Sequence, residues 1–145
     1  MEQRLNMQKT APDAFKAVLG LETYLASTQL KPLHKELIKI RASQINGCAY
    51  CINMHTKDAR KLGETEQRIY LLDAWRETNL YSEEERAILA LTEEVTFIHK
   101  GVSDETYQKA ANLLGEQYLA QVIMAIVTIN AWNRIAITSR TEPEY

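Results

Sequence analysis

Cys48, Cys51 and His55 are the residues whose types and spacing could do chemistry. They fall at i, i+3 and i+7, which on an α-helix turning about 100° per residue places them within a stripe about 60° wide. Ala59 and Leu62 continue that stripe, so the thiols are expected to face an apolar interior. Gly47 stands just before them, which puts Cys48 in the first turn of a helix, where unpaired backbone N–H groups favour a thiolate. His55 follows Cys51 by one turn, close enough to take its proton or to stabilise its anion. On spacing alone the helix terminus favours Cys48 as the reactive thiolate and His55 favours Cys51. A CxxC pair so placed can attack an oxidant, pass through a sulfenic acid and close a disulfide.

Two other readings compete. The cysteines could be inert core residues, since free Cys is often simply buried. The pattern C-x2-C-x3-H could also hold zinc, with an acid as fourth ligand. Structural zinc sites draw ligand pairs from two segments, however, and His34 and His99 are isolated, with no second Cys/His pair. No metal and no cofactor are expected.

The elements that must position these residues read as helices. Apolar stripes recur at Ala14, Val18, Leu21 and Leu25, at Leu33, Leu37 and Ile40, at Ile69, Leu72 and Trp75, and at Ile88, Leu91, Val95 and Ile98. No stretch alternates as a strand would. Pro32 suits a first helical turn, Ser82 with Glu85 reads as a capping box, and Ser103 before two acids reads as another start. Gly47, Gly63, Gly101 and Gly115 each follow a helical segment and are expected to cap it. These signals predict an all-α fold of about seven helices, over 12–28, 32–46, 48–62, 65–78, 82–99, 103–114 and 116–139, in a single domain spanning 1–145. The last is apolar nearly all round between Leu119 and Ile137 and must be buried on several sides, which predicts an oligomer; the plainer reading is the central helix of a monomer.

Composition narrows the class. The 145 residues, 46% hydrophobic and 25% charged, suit one globular domain and exclude a disordered chain. A net charge of −2 gives no footprint for a polyanion, so nucleic-acid binding is not expected. Two neighbouring cysteines cannot staple a secreted scaffold. The first residues lack a signal-peptide core, and Gln121, Thr128, Asn130, Asn133 and Arg134 interrupt the greasiest stretch, so no membrane span is expected. A reducing, cytoplasmic setting is the expectation.

The run ELIKIRASQINGCAYCINMH from Glu36 to His55 resembles the core of the carboxymuconolactone decarboxylase superfamily, specifically its alkyl hydroperoxidase D-like branch. The shared pattern is a Glu, a CxxC pair beginning twelve positions on, then three residues and a His. Similarity is clearest over residues 30–77. The resemblance implies a multihelical fold assembling as trimers or hexamers. It also implies a thiol-dependent peroxidase whose oxidised pair is reduced by an external dithiol, such as a lipoyl-bearing partner. Carried across, it implies Cys51 as the peroxide-attacking thiol, Cys48 as the resolving thiol, and Glu36 with His55 as the proton relay. Peroxidases of this branch can carry a His just before the second Cys; here Tyr50 stands there, and a phenol is a poor base at neutral pH. Decarboxylase members lack the cysteine pair.

The remaining candidates are weaker. His34 is expected at the surface and His99 at a helix end, Trp75 and Trp132 in the core or an interface, and Arg41 and Arg134 opposite acids at an interface. Besides the peroxidase, the alternatives are a thiol-disulfide oxidoreductase, a redox-sensing or metal-binding helical oligomer, and a decarboxylase-like lyase.

Overall fold

The computed structural model describes residues 2–145, with Met1 of the expected domain outside them, and is all-helical. The α-helices are α1 (Met7–Thr10), α2 (Pro12–Ser27), α3 (Pro32–Asn46), α4 (Ala49–Lys61), α5 (Glu66–Tyr70), α6 (Glu83–Thr96), α7 (Asp104–Leu114) and α8 (Glu116–Ser139). Short 3-10 segments follow α5 at Leu72–Glu77 and α6 at Ile98–Lys100.

The punctuation acts as the sequence predicts. Pro12 and Pro32 open α2 and α3, and Ser82 with Glu85 forms a complete capping box on α6. The decisive stop for the site is Gly47, whose φ of 69° is open to glycine and costly for most other residues. Its amide and that of Cys48 return to the carbonyls of Gln44 and Ser43, closing α3 so that α4 can start two residues later.

The expected helix over 65–78 divides instead. Leu72 and Trp75 are buried three residues apart, which suits the threefold period of a 3-10 turn, and Ala74 leaves helical backbone between them. The expected 82–99 helix likewise ends at Thr96 and finishes in the second 3-10 segment. Helix α1 has no counterpart in the sequence reading: at four residues it is too short for a periodic signal, and the Asn6 side chain holds it by accepting the Lys9 amide at 2.9 Å.

Helix α3 lies between two apolar clusters. Ile38 and Ala42 join Leu25, Cys48, Cys51, Ile88, Val122 and Ile126 in one; Leu37 and Ile40 join Leu72, Trp75, Tyr81 and Leu89 in the other. Helix α8 is the centre of the first cluster and packs on α2, α3, α4, α6 and α7. It is long and apolar enough to span a membrane by length and composition, yet Leu119, Val122, Ala125, Ile126 and Ile129 are buried within the chain itself. Only part of it, including Val127 and Ile137, is left exposed. The burial predicted for this helix is thus met only in part by the single chain, which buries 44% of its apolar window.

A polar seam fixes α3 against α8. Asn133, fully buried, donates to Ser43 Oγ at 3.0 Å and accepts from Asn46 Nδ2 at 2.8 Å; Asn46 also reaches Asn130, which donates to Thr96 of α6. Buried amides are stable only when paired, so the seam admits one register between these helices. It lies just before Gly47 and so sets where α4 begins.

Candidate functional site

Cys48 is the residue that caps α4, with extended backbone (φ −88°, ψ 92°), one position before the first turn in which the sequence reading placed it. Its sulfur accepts the Cys51 amide at 3.4 Å, the position a Ser or Asp side chain takes at a helix start. Cys51 falls in the first turn of α4, and the two residues form a disulfide across a Cα–Cα distance of 5.4 Å. Both are buried among the apolar side chains of the first cluster, and Ala59 further along the stripe is buried in the second. Leu62 departs from that expectation: it ends the helix and is exposed.

His55 stands one turn beyond Cys51 and meets Glu36 of α3, with Nδ1 at 2.8 Å from Oε2. Both side chains are more than nine-tenths buried, at 7% and 5% residual exposure. A carboxylate facing Nδ1 keeps the proton on that nitrogen and leaves Nε2 free to act as a base. The helix pair α3 and α4, joined by the Gly47 turn, is what brings the two together across nineteen positions of sequence.

Cys51, His55 and Glu36 line one cavity of about 540 Å³. Its wall is completed by Tyr50, Met54 and Asp58 of α4, by Phe15 and Leu19 of α2, and by Trp132 of α8. Cys48 does not border it. Cys48 lines a second groove, beside Arg4, Arg140 and the C-terminal residues. Of the oxidisable pair, Cys51 thus borders one cavity and Cys48 the other.

Several residues lie where the sequence reading did not put them. His34 is buried, not at the surface, and its Nδ1 lies 2.8 Å from the Tyr118 hydroxyl. Burial, with the nearby Lys31 charge, pushes its pKa below the ordinary histidine value, and it takes no part in the cavity. Arg41 pairs with Glu93 inside the chain at 2.9 Å, and Arg134 bonds to Asn130 and, among the described residues, reaches no acid. Trp75 is a core residue as expected, while Trp132 is cavity wall, packed edge-on against Phe15 and donating to Glu22 at 3.1 Å. Glu22 also accepts Lys39 Nζ through both oxygens at 2.8 Å, an ion pair of a buried lysine with a half-buried carboxylate at the same cavity, which sequence reasoning missed because α2 and α3 carry no motif there. Asp58 was missed too, although its position three residues after His55 puts it on the same helix face.

Comparison with known proteins agrees with this geometry. Residues 12–94 match the carboxymuconolactone decarboxylase family. The uncharacterized protein YdfG of Bacillus subtilis (strain 168) is 47% identical over 138 residues, 94% of each chain. A crystal structure from Agrobacterium tumefaciens, of a protein of unknown function linked by name to the antioxidant defence protein AhpD, superposes with a TM-score of 0.96 at 41% identity over 99% of both chains. The debrominase Bmp8 shares the fold, with a TM-score of 0.85 at 20% identity over 94% of this chain and 74% of that one. With its helical architecture, its paired CxxC cysteines and these matches along most of its length, the chain belongs to the carboxymuconolactone decarboxylase family, in the AhpD-like branch.

Proposed function

We propose that the protein is an enzyme, a thiol-dependent peroxidase in which Cys51 is the nucleophile, Cys48 the resolving thiol, and Glu36 with His55 the proton relay. The observation that carries this reading is the buried contact between His55 Nδ1 and Glu36 at the wall of the cavity that Cys51 borders. An imidazole oriented in that way has one task left for its other nitrogen, which is to exchange a proton with a group in the cavity.

His55 takes the Cys51 proton, directly or through water, and the Glu36 carboxylate offsets the charge that the ring acquires. The thiolate attacks the terminal oxygen of a hydroperoxide; the O–O bond breaks, and the departing alkoxide takes the proton from His55. Cys51 is left as a sulfenic acid. Cys48, as thiolate, attacks that sulfur, and hydroxide leaves as water once protonated. One hydroperoxide and two thiols thus yield one alcohol, one water and one disulfide. An external dithiol, for which a lipoyl-bearing protein is the candidate, reduces the pair by exchange and is itself oxidised. Tyr50, which borders the cavity, can donate a hydrogen bond to the peroxide but does not serve as base.

The cavity walls suit an organic hydroperoxide, with Phe15, Leu19, Met54 and Trp132 facing its carbon chain. A cytoplasmic homo-oligomer, trimer or hexamer, is the setting we assign. A thiol–disulfide oxidoreductase would use the same pair, and the peroxide step separates the two. The test is consumption of an alkyl hydroperoxide coupled to dihydrolipoamide oxidation. The parent should turn over and Cys51→Ser should not; equal rates in the two would refute the assignment.

A further inference from the structure

Asp58 has no part in the proton relay, yet it lies at the same place. One ligand atom each from Glu36, His55 and Asp58 fall within 4.8 Å of one another, on the wall of the cavity. Among the hydrogen bonds of the described residues, Glu36 commits only Oε2, to His55. Asp58 likewise commits only Oδ1, to Lys61 at 3.0 Å. A buried carboxylate, a second carboxylate and an imidazole, all turned to one cavity, make up a donor set for a divalent transition metal.

Zinc fits this set. With bonds near about 2.1 Å to nitrogen and oxygen, tetrahedral zinc holds its ligand atoms about 3.4 Å apart. Drawing in three atoms that already lie within 4.8 Å needs only side-chain movement. The candidate for the fourth ligand is Cys51. Cys51 precedes His55 by one helical turn and borders the same cavity, but in the disulfide its sulfur is committed to Cys48. Reduction frees it.

We propose that Glu36, His55 and Asp58 form a zinc site that the Cys51 thiolate completes once the disulfide is reduced, so that zinc and peroxide compete for one sulfur. Zinc displaces the thiol proton and forms the sulfur–metal bond without any change of oxidation state. The disulfide form keeps only the nitrogen and oxygen donors and holds the ion more weakly. Binding is thereby tied to redox state, and bound zinc protects the thiol from oxidation. The regulatory part of this inference rests on the peroxidase reading; the metal site itself does not.

The experiment uses the whole protein, reduced with a phosphine and titrated with zinc chloride against a chromophoric chelator, alongside the disulfide form and the variants Asp58→Asn and Cys51→Ser. Expected is one zinc per chain in the reduced parent, with affinity at least tenfold weaker in the disulfide form and in each variant. Added zinc should slow peroxide-driven thiol loss in the parent, measured against the same sample without zinc, and slow it at least tenfold less in Asp58→Asn. Absence of zinc binding, equal affinity in Asp58→Asn, or equal affinity in both redox states would overturn the site. The metal-free peroxide reaction reads the peroxidase assignment separately: if it fails while zinc binding stands, the enzyme reading falls and the metal site survives.

Discussion

Glu36 is an acid placed in the interior of a helix pair, where an isolated carboxylate would cost several kcal/mol to bury. Its partner is a histidine one turn from a cysteine, and that contact gives the burial a chemical use. If the carboxylate orients His55 and offsets its charge, Glu36→Gln should fold like the parent but slow the reaction of the reduced protein with peroxide by about 10²-fold at neutral pH, the usual scale for acid–base assistance. Its rate should then climb with pH toward that of an ordinary thiol, near about 8.5, while the parent is already fast at pH 7. Stopped-flow rates across pH measure this, and coincident profiles would remove the acid from the mechanism. Much of this site was legible because Cys48, Cys51 and His55 lie on one helix, where spacing translates directly into geometry. Glu36 sits on another helix, and only the family pattern marked it. Trp132, Glu22 and Lys39 reach the cavity from three helices with no local pattern, so sequence had no means of naming them.

Among the elements, α3 and α4 carry the site and α6 holds α3 from behind. Glu93 of α6 accepts Trp75 Nε1 at 2.8 Å and Arg41 Nε at 2.9 Å, and also pairs with Arg76, joining α6, α3 and the first 3-10 segment. Burial alone would raise its pKa, but the bonds from Trp75, Arg76 and Arg41 outweigh that, and it lies below the ordinary glutamate value of 4.5. A carboxylate lowered in the fold stabilises it fully above the unfolded value, and this stabilisation is lost as pH falls through the folded one. Glu93→Gln should therefore cost about 1–3 kcal/mol at pH 7, read by urea unfolding, with the gap to the parent closing as pH drops below 4.5. A gap that persists unchanged in acid would mean that packing, not charge, is what the residue supplies. Helix ends were the most readable features at this scale, because Pro32, Gly47, Ser82 and Ser103 act through their own backbone and nearest amides. The breaks after Tyr70 and Thr96 were not readable. The first follows from where Leu72 and Trp75 must lie in three dimensions, which no local preference encodes.

In the molecule as a whole, α8 is both the core of the chain and the element with apolar surface to spare. Its composition announced burial but not the partner, since an interface and a monomer core leave the same trace in sequence. The chain supplies part of the cover, and Val127 and Ile137 remain exposed on α8, as do Phe97 and Ile98 at the start of the second 3-10 segment. The proposed trimer or hexamer should appear in sedimentation velocity at micromolar concentration as one species of three or six chains. A monomer under those conditions would show that α8 needs no second copy.

The central claim is that two sulfurs, sheltered between helices and served by one relay, are oxidised and restored as a pair. The direct measurement is a thiol count on the fully reduced, metal-free protein before and after one equivalent of an alkyl hydroperoxide. The account predicts that both thiols disappear together as an intramolecular Cys48–Cys51 disulfide and return on adding dihydrolipoamide. Two thiols still titrating after the peroxide, or oxidation that no dithiol reverses, would contradict it.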